Sequence, residues 1–346
     1  MKTIVHVITK SEVGGAQTWV RDQTHLLKSE FRQIIITNNE GWLSVHNYAD
    51  KVYFVKEIEY KFSVVAFLKI LNILVKEKAD IVISSSANAG LYARLAKLFY
   101  KHRSIYVSHG WSCIYNGGKL KSIFIGIEKK LSYFTDVILC VSDKDANNAK
   151  TVIGIPHDKI KVIRNAVYPQ KEKLFKSESS LKLLFVGRLT HPKRLDLLID
   201  AVDKMDNVFL TVVGDGPNRD FYKKSSKVEF IGEIKNFNKF YKYDAFTLIS
   251  DSEGLPMSAL EAASAGLPLL LSNVGGCSEL IKNNGLLVDN TIESIINAIN
   301  DIKDKYDDYQ TGAQEIKNTF NLNYYKNEYS DLYIGTNIIV PEKSMV

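Results

Sequence analysis

Short apolar runs alternate with longer segments of helical periodicity along the whole 346-residue chain. Thr3–Thr9 (TIVHVIT), Asp80–Ser85 (DIVISS) and Asp136–Val141 (DVILCV) have the length and the β-branched content of buried strands. Between them, the segments 63–78, 91–100 and 120–134 predict helices. Such alternation predicts βαβ units, in which helices cover both faces of a parallel sheet. The chain from Asn290 onward repeats isoleucines at helical spacing and predicts a helical tail.

The alternation is interrupted by a polar, lysine-rich segment at 167–182, which we interpret as a linker. It restarts with a strand at Leu183–Val186, as an independent second α/β domain would. We therefore predict one Rossmann-like domain over residues 1–168, a second over 169–325, and a C-terminal helix or tail over 326–346. One arrangement for this last segment packs it back on the first domain. Two doubly wound domains that face one another leave a cleft at the carboxyl ends of their strands, where such folds bind ligands.

Hydrophobic residues make up 45% of the chain and charged residues 24%, which is typical of globular proteins and excludes disordered, collagen-like and coiled-coil chains. The apolar run at 64–75 contains Lys69 and Asn72 and is shorter than the roughly 20 residues of a membrane span. The three cysteines form no CxxC pair, which argues against a zinc site or a disulfide framework. The apolar part of the N-terminus is too short for a signal peptide, so we expect a cytoplasmic protein, with a frayed tail at 338–346.

Charge is divided unevenly between the two halves. Residues 1–170 contain 24 Lys and Arg against 14 Asp and Glu, a net charge of +10, whereas residues 171–346 contain 21 against 25, a net charge of −4. A basic half favours an anionic partner such as a membrane surface or a phosphate-bearing substrate. Nucleic acid is the least favoured partner, because the chain has no helix-turn-helix, zinc-finger or RNA-recognition signature.

Two features of the first half lie just after strands. Gly14 and Gly15 precede an amphipathic helix, where glycines let backbone N–H groups and the helix dipole approach an anion. A tight turn explains them equally well, and neither GxGxxG nor GxxxxGK[ST] occurs in the chain. His109 follows the strand 104–108 and precedes Gly110, which suits a ligand-facing side chain; a structural histidine fits the local sequence as well.

The second half opens with the loop Gly187-Arg188-Leu189-Thr190-His191-Pro192-Lys193-Arg194 after its first strand. Arg188 and Lys193 can converge there on a diphosphate, the first as a fork of donors and the second as a point charge. Two solvated cations are the alternative, and the position in the loop favours the functional interpretation. The later turn Gly214-Asp215-Gly216-Pro217 is explained mostly by turn chemistry.

The strongest motif places Glu253 and Glu261 around Gly254-Leu255-Pro256. Glu253 follows the strand 245–249, Pro256 suits the first position of a helix, and Glu261 falls on the first turns of that helix. Both carboxylates can line one wall of a cleft and accept hydrogen bonds from the paired hydroxyls of a ribose and a hexose. For each glutamate singly, a helix-dipole partner or a solvated side chain is the better explanation. The pair favours a binding site.

Two further patterns are weaker. Asp143-Lys144-Asp145 matches the DxD pattern of sites that hold a nucleotide-sugar through Mn²⁺ or Mg²⁺, but a helix cap formed by Ser142 and Asp143 is the favoured interpretation. Asn165 follows the last strand of the first half and is a candidate for a ligand-facing residue.

Taken in order, these motifs resemble those of glycosyltransferase family 4, the retaining nucleotide-sugar transferases of GT-B fold, and in particular bacterial O-antigen, capsule and exopolysaccharide enzymes. The Glu-x7-Glu element with its internal GLP is specific, whereas the glycine turns are not. Ala166 stands where the family usually has glycine, so it is assigned no role. The matching motifs are Gly14-Gly15-Ala16-Gln17, His109-Gly110, Gly187-Arg188 with Lys193, Gly214-Asp215-Gly216-Pro217, Glu253 through Glu261, and Gly275-Gly276 with Glu279.

The resemblance implies an α/β protein of GT-B fold, with two Rossmann-like domains facing across a cleft. It also implies roles for single residues. Arg188 and Lys193 would neutralise the donor diphosphate, Glu253 would hold hydroxyls of the donor sugar, and Glu261 would bind the ribose. The implied catalytic residues are His109, Arg188, Lys193 and Glu253, and the implied donor-binding residues are Gly15, Gly214, Ile231, Glu253, Gly254, Leu255, Pro256 and Glu261.

The resemblance also implies which part of the donor three of these positions contact. Gly15 would approach the distal phosphate of the donor, and His109 would contact the donor sugar near the reacting carbon. The base would rest against the strand end at Phe230-Ile231-Gly232. The resemblance implies no cofactor and no metal ion in the chemistry.

The resemblance also implies an acceptor, a polyprenyl diphosphate-linked sugar at the inner face of the membrane, bound by the N-terminal domain. The segments 119–131 and 94–103 mix cations with bulky apolar residues, so that either could lie on an anionic bilayer. Core helices with basic outer faces are the alternative for each. We expect peripheral association with the inner face of the cell membrane.

Family habit implies a UDP-hexose or UDP-N-acetylhexosamine donor.

Three other function classes are alternatives to a transferase. A sugar-nucleotide epimerase of GT-B fold would act on that donor without an acceptor, and a nucleotide-binding oxidoreductase would bind NAD. A non-catalytic relative acting as a scaffold would have no reason to retain the motif residues.

Overall fold

The computed structural model describes residues 1–60, 62–115, 117–173 and 180–336. Within these residues, parallel strands form two sheets, one in each half of the chain. The first sheet consists of β1 Lys2–Val7, β2 Phe31–Thr37, β3 Lys51–Phe54, β4 Ile81–Ser84, β5 Arg103–Ser108, β6 Val137–Cys140 and β7 Ile160–Val162. The second consists of β8 Leu181–Val186, β9 Val208–Val213, β10 Val228–Gly232, β11 Ala245–Leu248, β12 Leu269–Ser272 and β13 Gly285–Val288.

α-Helices connect the successive strands of the first sheet and, in the second, join β8 to β9 and β11 to β12; the other connections of the second sheet contain short 3₁₀ turns. The α-helices of the described residues are α1 Gly15–Leu26, α2 Trp42–Val45, α3 Val64–Lys76, α4 Ala87–Ala96, α5 Ser112–Tyr115, α6 Lys121–Ser132, α7 Asp143–Asn148, α8 Leu195–Asp203, α9 Met257–Ser264, α10 Ile292–Asp304, α11 Tyr306–Ile316 and α12 Lys326–Ile334. None of them has the length and hydropathy that a membrane-spanning helix needs. The predicted α/β fold class is therefore confirmed, with parallel sheets and connecting helices.

Each sheet reverses its strand order once. The first runs β3-β2-β1-β4-β5-β6-β7 and the second β10-β9-β8-β11-β12-β13. The reversal falls between β1 and β4 in the first sheet and between β8 and β11 in the second. In open parallel sheets this reversal, at the carboxyl ends of the strands, is where ligands bind.

The apolar sequence of the strands follows from their burial on both faces. In the first sheet, Val5 and Val82 share one core with Tyr92 of α4 and Ile70 of α3. In the second sheet, all the strands share a core with α8, α9 and α10. Burial of this apolar surface is the main force that holds each sheet to its helices.

The chain divides into two compact units. The first comprises residues 1–141, 146–163 and 323–336 of the described chain, and the second comprises 142–145 and 164–322. The first unit thus ends at Ile163, five residues before the boundary predicted at 168. The C-terminal helix α12 belongs to the first unit, where the Tyr333 hydroxyl donates to the Gln23 side chain at 2.9 Å.

The predicted linker is not a free connection. Val167 is buried in the core of the second unit, and its N–H donates to the Phe320 carbonyl at 2.9 Å. Lys173 is buried against Asp244, with 3.0 Å between Nζ and Oδ1. These contacts were not predicted, because a single buried residue or ion pair in a polar segment produces no periodic sequence pattern. Residues 174–179 of the predicted linker, and the predicted tail at 338–346, lie outside the described residues.

Other boundaries moved by a few residues. The helix predicted at 91–100 is α4, which begins at Ala87 and ends at Ala96. The helical tail predicted from Asn290 is two helices, α10 and α11, separated at Lys305. Pro256, expected at the first position of a helix, stands immediately before α9, in extended backbone.

Candidate functional site

Two loops meet at the order reversal of the second sheet, one after β8 and one after β11. Their backbones are joined, since Asp251 N–H donates to the Pro192 carbonyl and Arg194 N–H to the Ile249 carbonyl, both at 2.9 Å. Lys193 also forms an antiparallel bridge with Ser250. These hydrogen bonds hold the two loops in one fixed arrangement.

Lys193 and Glu253 come together at this place. The Lys193 ammonium donates to the Glu253 carboxylate, and their side chains are 17% and 10% exposed. Burial and the Glu253 charge raise the pKa of the neighbouring Cys277 thiol to about 12, so this cysteine stays neutral and unreactive. Both residues were predicted at the site, but their direct pairing was not.

Arg188 differs from Lys193 in its surroundings. Its side chain is exposed, and no hydrogen bond or ion pair joins it to another of the described residues. A guanidinium without a partner can take a diphosphate at no cost in broken ion pairs. Of the two cations predicted to bind a diphosphate, Arg188 is therefore free and Lys193 is held by a carboxylate.

Glycines let the neighbouring backbones pack closely. Gly214 has a φ of 144°, and a Cβ at this position would lie 1.9 Å from the Gly187 carbonyl oxygen. At Gly275, which has a φ of 53°, a Cβ would lie 1.7 Å from the Glu253 carbonyl oxygen. Close packing alone explains why these positions require glycine, and the predicted contact of Gly214 with a donor stays a prediction.

The segment that follows Glu253 is also fixed. The Gly254 carbonyl accepts a hydrogen bond from Gly276 N–H at 2.8 Å, and the buried Leu255 carbonyl accepts one from Asn165 Nδ2 at 3.1 Å. Glu261 lies half-buried on the second turn of α9. Asn165 is thus a residue that supports the motif, which its local sequence indicated only weakly.

A polar network behind Asp251 was missed by sequence analysis. Asn290 Nδ2 donates to the Ser250 carbonyl at 3.0 Å and to Asp251 Oδ1 at 2.9 Å. The Ser272 hydroxyl donates to Asn290 Oδ1 at 2.5 Å and accepts a hydrogen bond from Ser250 N–H at 2.9 Å. The available signal was position, because each of these residues ends or follows a buried strand.

Ile231 lies half-buried in β10, at the point where the pairing with β9 shifts register. The Arg219 guanidinium lies 3.8 Å from the centre of the neighbouring Phe230 ring. This strand end thus offers an apolar and aromatic surface, of the kind that a nucleobase contacts.

Gly15 and His109 belong to the first unit. Gly15 is the exposed first residue of α1, and His109 meets Trp19 of the same helix edge to face, with 5.3 Å between ring centres. Burial lowers the pKa of His109 to about 4, so its imidazole is neutral at neutral pH. Its Nε2 is buried and has no hydrogen-bond partner among the described residues.

The residues of the DxD pattern make other contacts in the described chain. Asp143 accepts hydrogen bonds from the Arg164 guanidinium, and the Glu279 carboxylate accepts the N–H groups of Asp143 and Lys144, both at 3.0 Å. Ser142 caps α7 as predicted, since its hydroxyl accepts Asp145 N–H at 3.1 Å. Nowhere in the described chain do three or more His, Cys, Asp or Glu cluster as a metal site requires.

Comparison with known proteins assigns the chain to a family. Residues 13–171 match the family model "Glycosyltransferase Family 4", and residues 169–319 match "Glycosyl transferases group 1". The O-antigen biosynthesis glycosyltransferase WbnH of Escherichia coli is 45% identical over 97% of this chain and 100% of its own length. The chain belongs to glycosyltransferase family 4.

A further relative and a solved structure extend this comparison. An Escherichia coli UDP-Gal:α-D-GlcNAc-diphosphoundecaprenol α-1,3-galactosyltransferase is 28% identical over 96% of each chain. The crystal structure of Anabaena HepE in complex with UDP-glucose superposes with a TM-score of 0.82 at 16% identity, over 97% of this chain and 100% of HepE. The expected GT-B fold is therefore confirmed, and the protein is a glycosyltransferase.

Proposed function

We propose that this glycosyltransferase transfers a sugar, with retention of configuration, from a UDP-hexose or UDP-N-acetylhexosamine to a lipid-linked oligosaccharide during synthesis of a cell-surface polysaccharide such as O-antigen, capsule or exopolysaccharide. One observation carries the proposal. The paired Lys193 and Glu253 lie with the unpaired Arg188 at the order reversal of the second sheet, in a chain 45% identical to an O-antigen glycosyltransferase.

The donor diphosphate is the group that these cations fit. Arg188 binds it as a fork, and Lys193 exchanges the Glu253 carboxylate for a phosphate oxygen. Both cations then stabilise the negative charge that grows on the leaving UDP, which is the role that a metal ion has in other transferases. The reaction thus proceeds without a metal ion.

The carboxylates and the strand end serve the rest of the donor. Once Lys193 has moved to the diphosphate, Glu253 accepts hydrogen bonds from the donor sugar, with the backbone of Gly254, Leu255 and Pro256 beside it. Glu261 binds the ribose, and the base rests at Ile231. UDP is favoured because the galactosyltransferase relative is named for UDP-Gal and HepE binds UDP-glucose.

The proposal includes two residues of the first unit, Gly15 and His109. Gly15 is exposed at the start of α1, where backbone N–H groups favour the distal phosphate. The neutral His109 imidazole contacts the donor sugar near the reacting carbon. Its unpartnered, buried Nε2 supports this role, because such a nitrogen gains a hydrogen bond when a sugar hydroxyl arrives.

Calorimetric titration with UDP, GDP and NAD tests donor binding. We expect UDP to bind, and Arg188→Ala and Glu261→Ala each to weaken it at least about tenfold, since each removes hydrogen bonds to a charged group. Lys223→Ala is the matched control, because this cation of the same unit pairs with Asp203 at the end of α8. Binding of NAD without a nucleoside diphosphate would favour the oxidoreductase.

Transfer is tested with a panel of UDP-sugars and synthetic lipid diphosphates that carry N-acetylglucosamine or N-acetylgalactosamine. We expect transfer that persists in EDTA and gives a product with the anomeric configuration of the donor, measured by NMR. A new UDP-sugar formed without an acceptor would identify the epimerase instead. Inversion of configuration, or loss of activity in EDTA, would contradict the proposed chemistry.

Lipid-linked acceptors require access to a membrane, and α6 supplies a suitable surface on the first unit. Ile123 and Phe124 are 58% and 41% exposed on this helix, and Lys121 and Lys130 are exposed beside them. Apolar side chains flanked by lysines bind anionic bilayers. We include peripheral association with the inner face of the cell membrane in the proposal.

Flotation with anionic vesicles tests this association. We expect binding at low salt that weakens as salt rises, and that Phe124→Glu reduces. Phe221→Glu is the control, because Phe221 is equally apolar and 85% exposed but lies in the second unit. No flotation of the unaltered protein, or an equal loss in both variants, would contradict a role for α6.

A further inference from the structure

The donor proposal leaves a group of polar residues unused at the carboxyl edge of the first sheet. It surrounds the reversal of strand order between β1 and β4. We name it the strand-end cluster, and its members are Thr9, Lys10, Ser11, Asn38, Glu59 and Ser86.

Two loops are joined at the reversal itself. The Thr9 and Ser86 hydroxyl oxygens are 2.6 Å apart, and Thr9 N–H donates to the Ser86 hydroxyl at 3.2 Å. Thr9 follows β1 and Ser86 precedes α4. This pair fixes the spacing of two loops that in such folds surround a ligand.

A second chain of contacts presents an ion pair to solvent. Asn38 is buried; its Oδ1 accepts Ser11 N–H at 3.1 Å, and its Nδ2 donates to Glu59 Oε2 at 2.9 Å. The other Glu59 oxygen lies 3.3 Å from Lys10 Nζ, and these two side chains are 27% and 42% exposed. The carboxylate is thus held from behind by a buried amide and still reached by solvent.

Two buried hydroxyls at the carboxyl ends of β4 and β5 have no hydrogen-bond partner in the described part of the chain. The hydroxyl oxygens of Ser85, just after β4, and Ser108, at the end of β5, make no hydrogen bond to another described residue. The two side chains are 2% and 1% exposed. A buried polar group without a partner is costly, and strand ends at which two of them occur can satisfy them with the polar groups of a ligand.

The chemistry of the cluster selects a neutral, hydroxyl-bearing ligand. Glu59 accepts hydrogen bonds, Lys10 donates them, and the Thr9 and Ser86 hydroxyls do both. Lys10 is the cation of the cluster, and two carboxylates face it, Glu59 at 3.3 Å and Glu12 at 3.5 Å. This local charge disfavours a phosphate and suits vicinal sugar hydroxyls.

We propose that the strand-end cluster binds the sugar of the acceptor, with Glu59 and Lys10 holding neighbouring hydroxyls. The inference rests on the proposed function, because a transferase needs a second substrate and the cations of the second unit are used by the donor. It assigns acceptor recognition to residues that none of the sequence motifs contains.

The experiment compares Glu59→Gln and Lys10→Met with Glu57→Gln. Glu57 is the matched control, because it lies two residues from Glu59 in the same short helical turn and pairs with Lys69 at 2.6 Å. Among the described residues, its side chain makes no hydrogen bond or ion pair to a member of the cluster. The measurements are the acceptor KM, the donor KM and UDP binding, with the panel of lipid diphosphate sugars as probes. Saturation-transfer difference NMR with the same probes also detects an acceptor that binds without reacting.

We expect Glu59→Gln and Lys10→Met each to raise the acceptor KM, or to weaken acceptor binding by NMR, at least about tenfold, as the loss of a hydrogen bond to a charged group does. UDP binding and the donor KM should not change, and Glu57→Gln should resemble the unaltered protein. Acceptor values within about twofold of the unaltered protein in both cluster variants would overturn the inference, because a lost charged hydrogen bond has a larger effect. Absence of UDP binding in the unaltered protein would instead refute the proposed function, and the inference with it.

Discussion

Replacing Glu128 with glutamine should strongly destabilise the first unit. Glu128 pairs with Arg94, which is fully buried, through contacts of 2.8 and 3.3 Å. The Arg94 Nε also donates to the Gly90 carbonyl at 2.8 Å, and its guanidinium lies 4.2 Å from the centre of the Tyr106 ring. Glutamine keeps the shape of the side chain but leaves a buried positive charge without a counter-charge.

The expected cost follows from this burial. Removing one partner of a buried ion pair costs about 3–5 kcal/mol, because the remaining charge has lost its solvation without compensation. With a urea m-value of about 2 kcal/mol/M, the unfolding midpoint should fall by roughly 1.5–2.5 M. Replacing both partners together, as Arg94→Met with Glu128→Leu, should recover most of the loss, since no buried charge remains.

Tryptophan fluorescence in urea is the appropriate assay. The sequence contains three tryptophans, Trp19, Trp42 and Trp111, and all of them lie in the first unit. Fluorescence therefore reports the unfolding of the unit that contains the pair.

Glu57→Gln is the control for this assay. It breaks the exposed pair with Lys69, and exposed pairs contribute less than about 1 kcal/mol. If Glu128→Gln moves the midpoint no more than Glu57→Gln does, or if the double replacement is as unstable as the single one, the reasoning from desolvation is refuted.

Other predictions concern backbone packing, pH and the second unit. Gly214→Ala should abolish UDP binding and destabilise the second unit, because its Cβ would lie 1.9 Å from a backbone oxygen. Gly126→Ala should stabilise the first unit slightly, because a Cβ at this position of α6 would meet open space. Melting curves of both variants check this. Burial lowers the pKa values of His6 and His109 from 6.5 to about 4, so stability that is complete above pH 6.5 should be lost as pH falls toward 4. His6→Gln and His109→Gln should each flatten that pH dependence in urea titrations, and a dependence identical to that of the unaltered protein would contradict the assignment. Asn290→Ala should weaken UDP binding in calorimetry, because the two hydrogen bonds that the Asn290 amide donates hold the segment before Glu253. The stability reported by tryptophan fluorescence should not change, because Asn290 lies in the second unit.

The buried Arg94 also corrects a sequence-based interpretation. The segment 94–103 was a candidate for the bilayer surface because it mixes cations with apolar residues. Arg94 is inside the protein, although Leu98 and Phe99 of the same segment are exposed. A single sequence does not distinguish a buried cation from a solvated one, because its counter-charge, Glu128, is 34 residues away.

Periodicity and turn chemistry were sufficient to predict most elements of both sheets. Buried strands are apolar throughout, and helices have an apolar residue at every third or fourth position, so both patterns can be recognised within a short stretch of sequence. Boundaries moved where a contact that is distant in sequence decided them, as at Lys173, which is buried against Asp244.

The sequence by itself determined the fold class, the family, the loops in which Arg188, Lys193 and Glu253 lie, and the helix that carries Glu261, because these follow from residue type and from order along the chain. Only the tertiary structure decided the partners of these side chains. The Lys193–Glu253 pair spans 60 residues, the Asn290 network joins the ends of several strands, and Glu59 meets Lys10 across 49 positions of the chain. Such contacts arise when parallel strands bring their carboxyl ends to one edge, and strand order, which local sequence does not encode, determines which ends are neighbours.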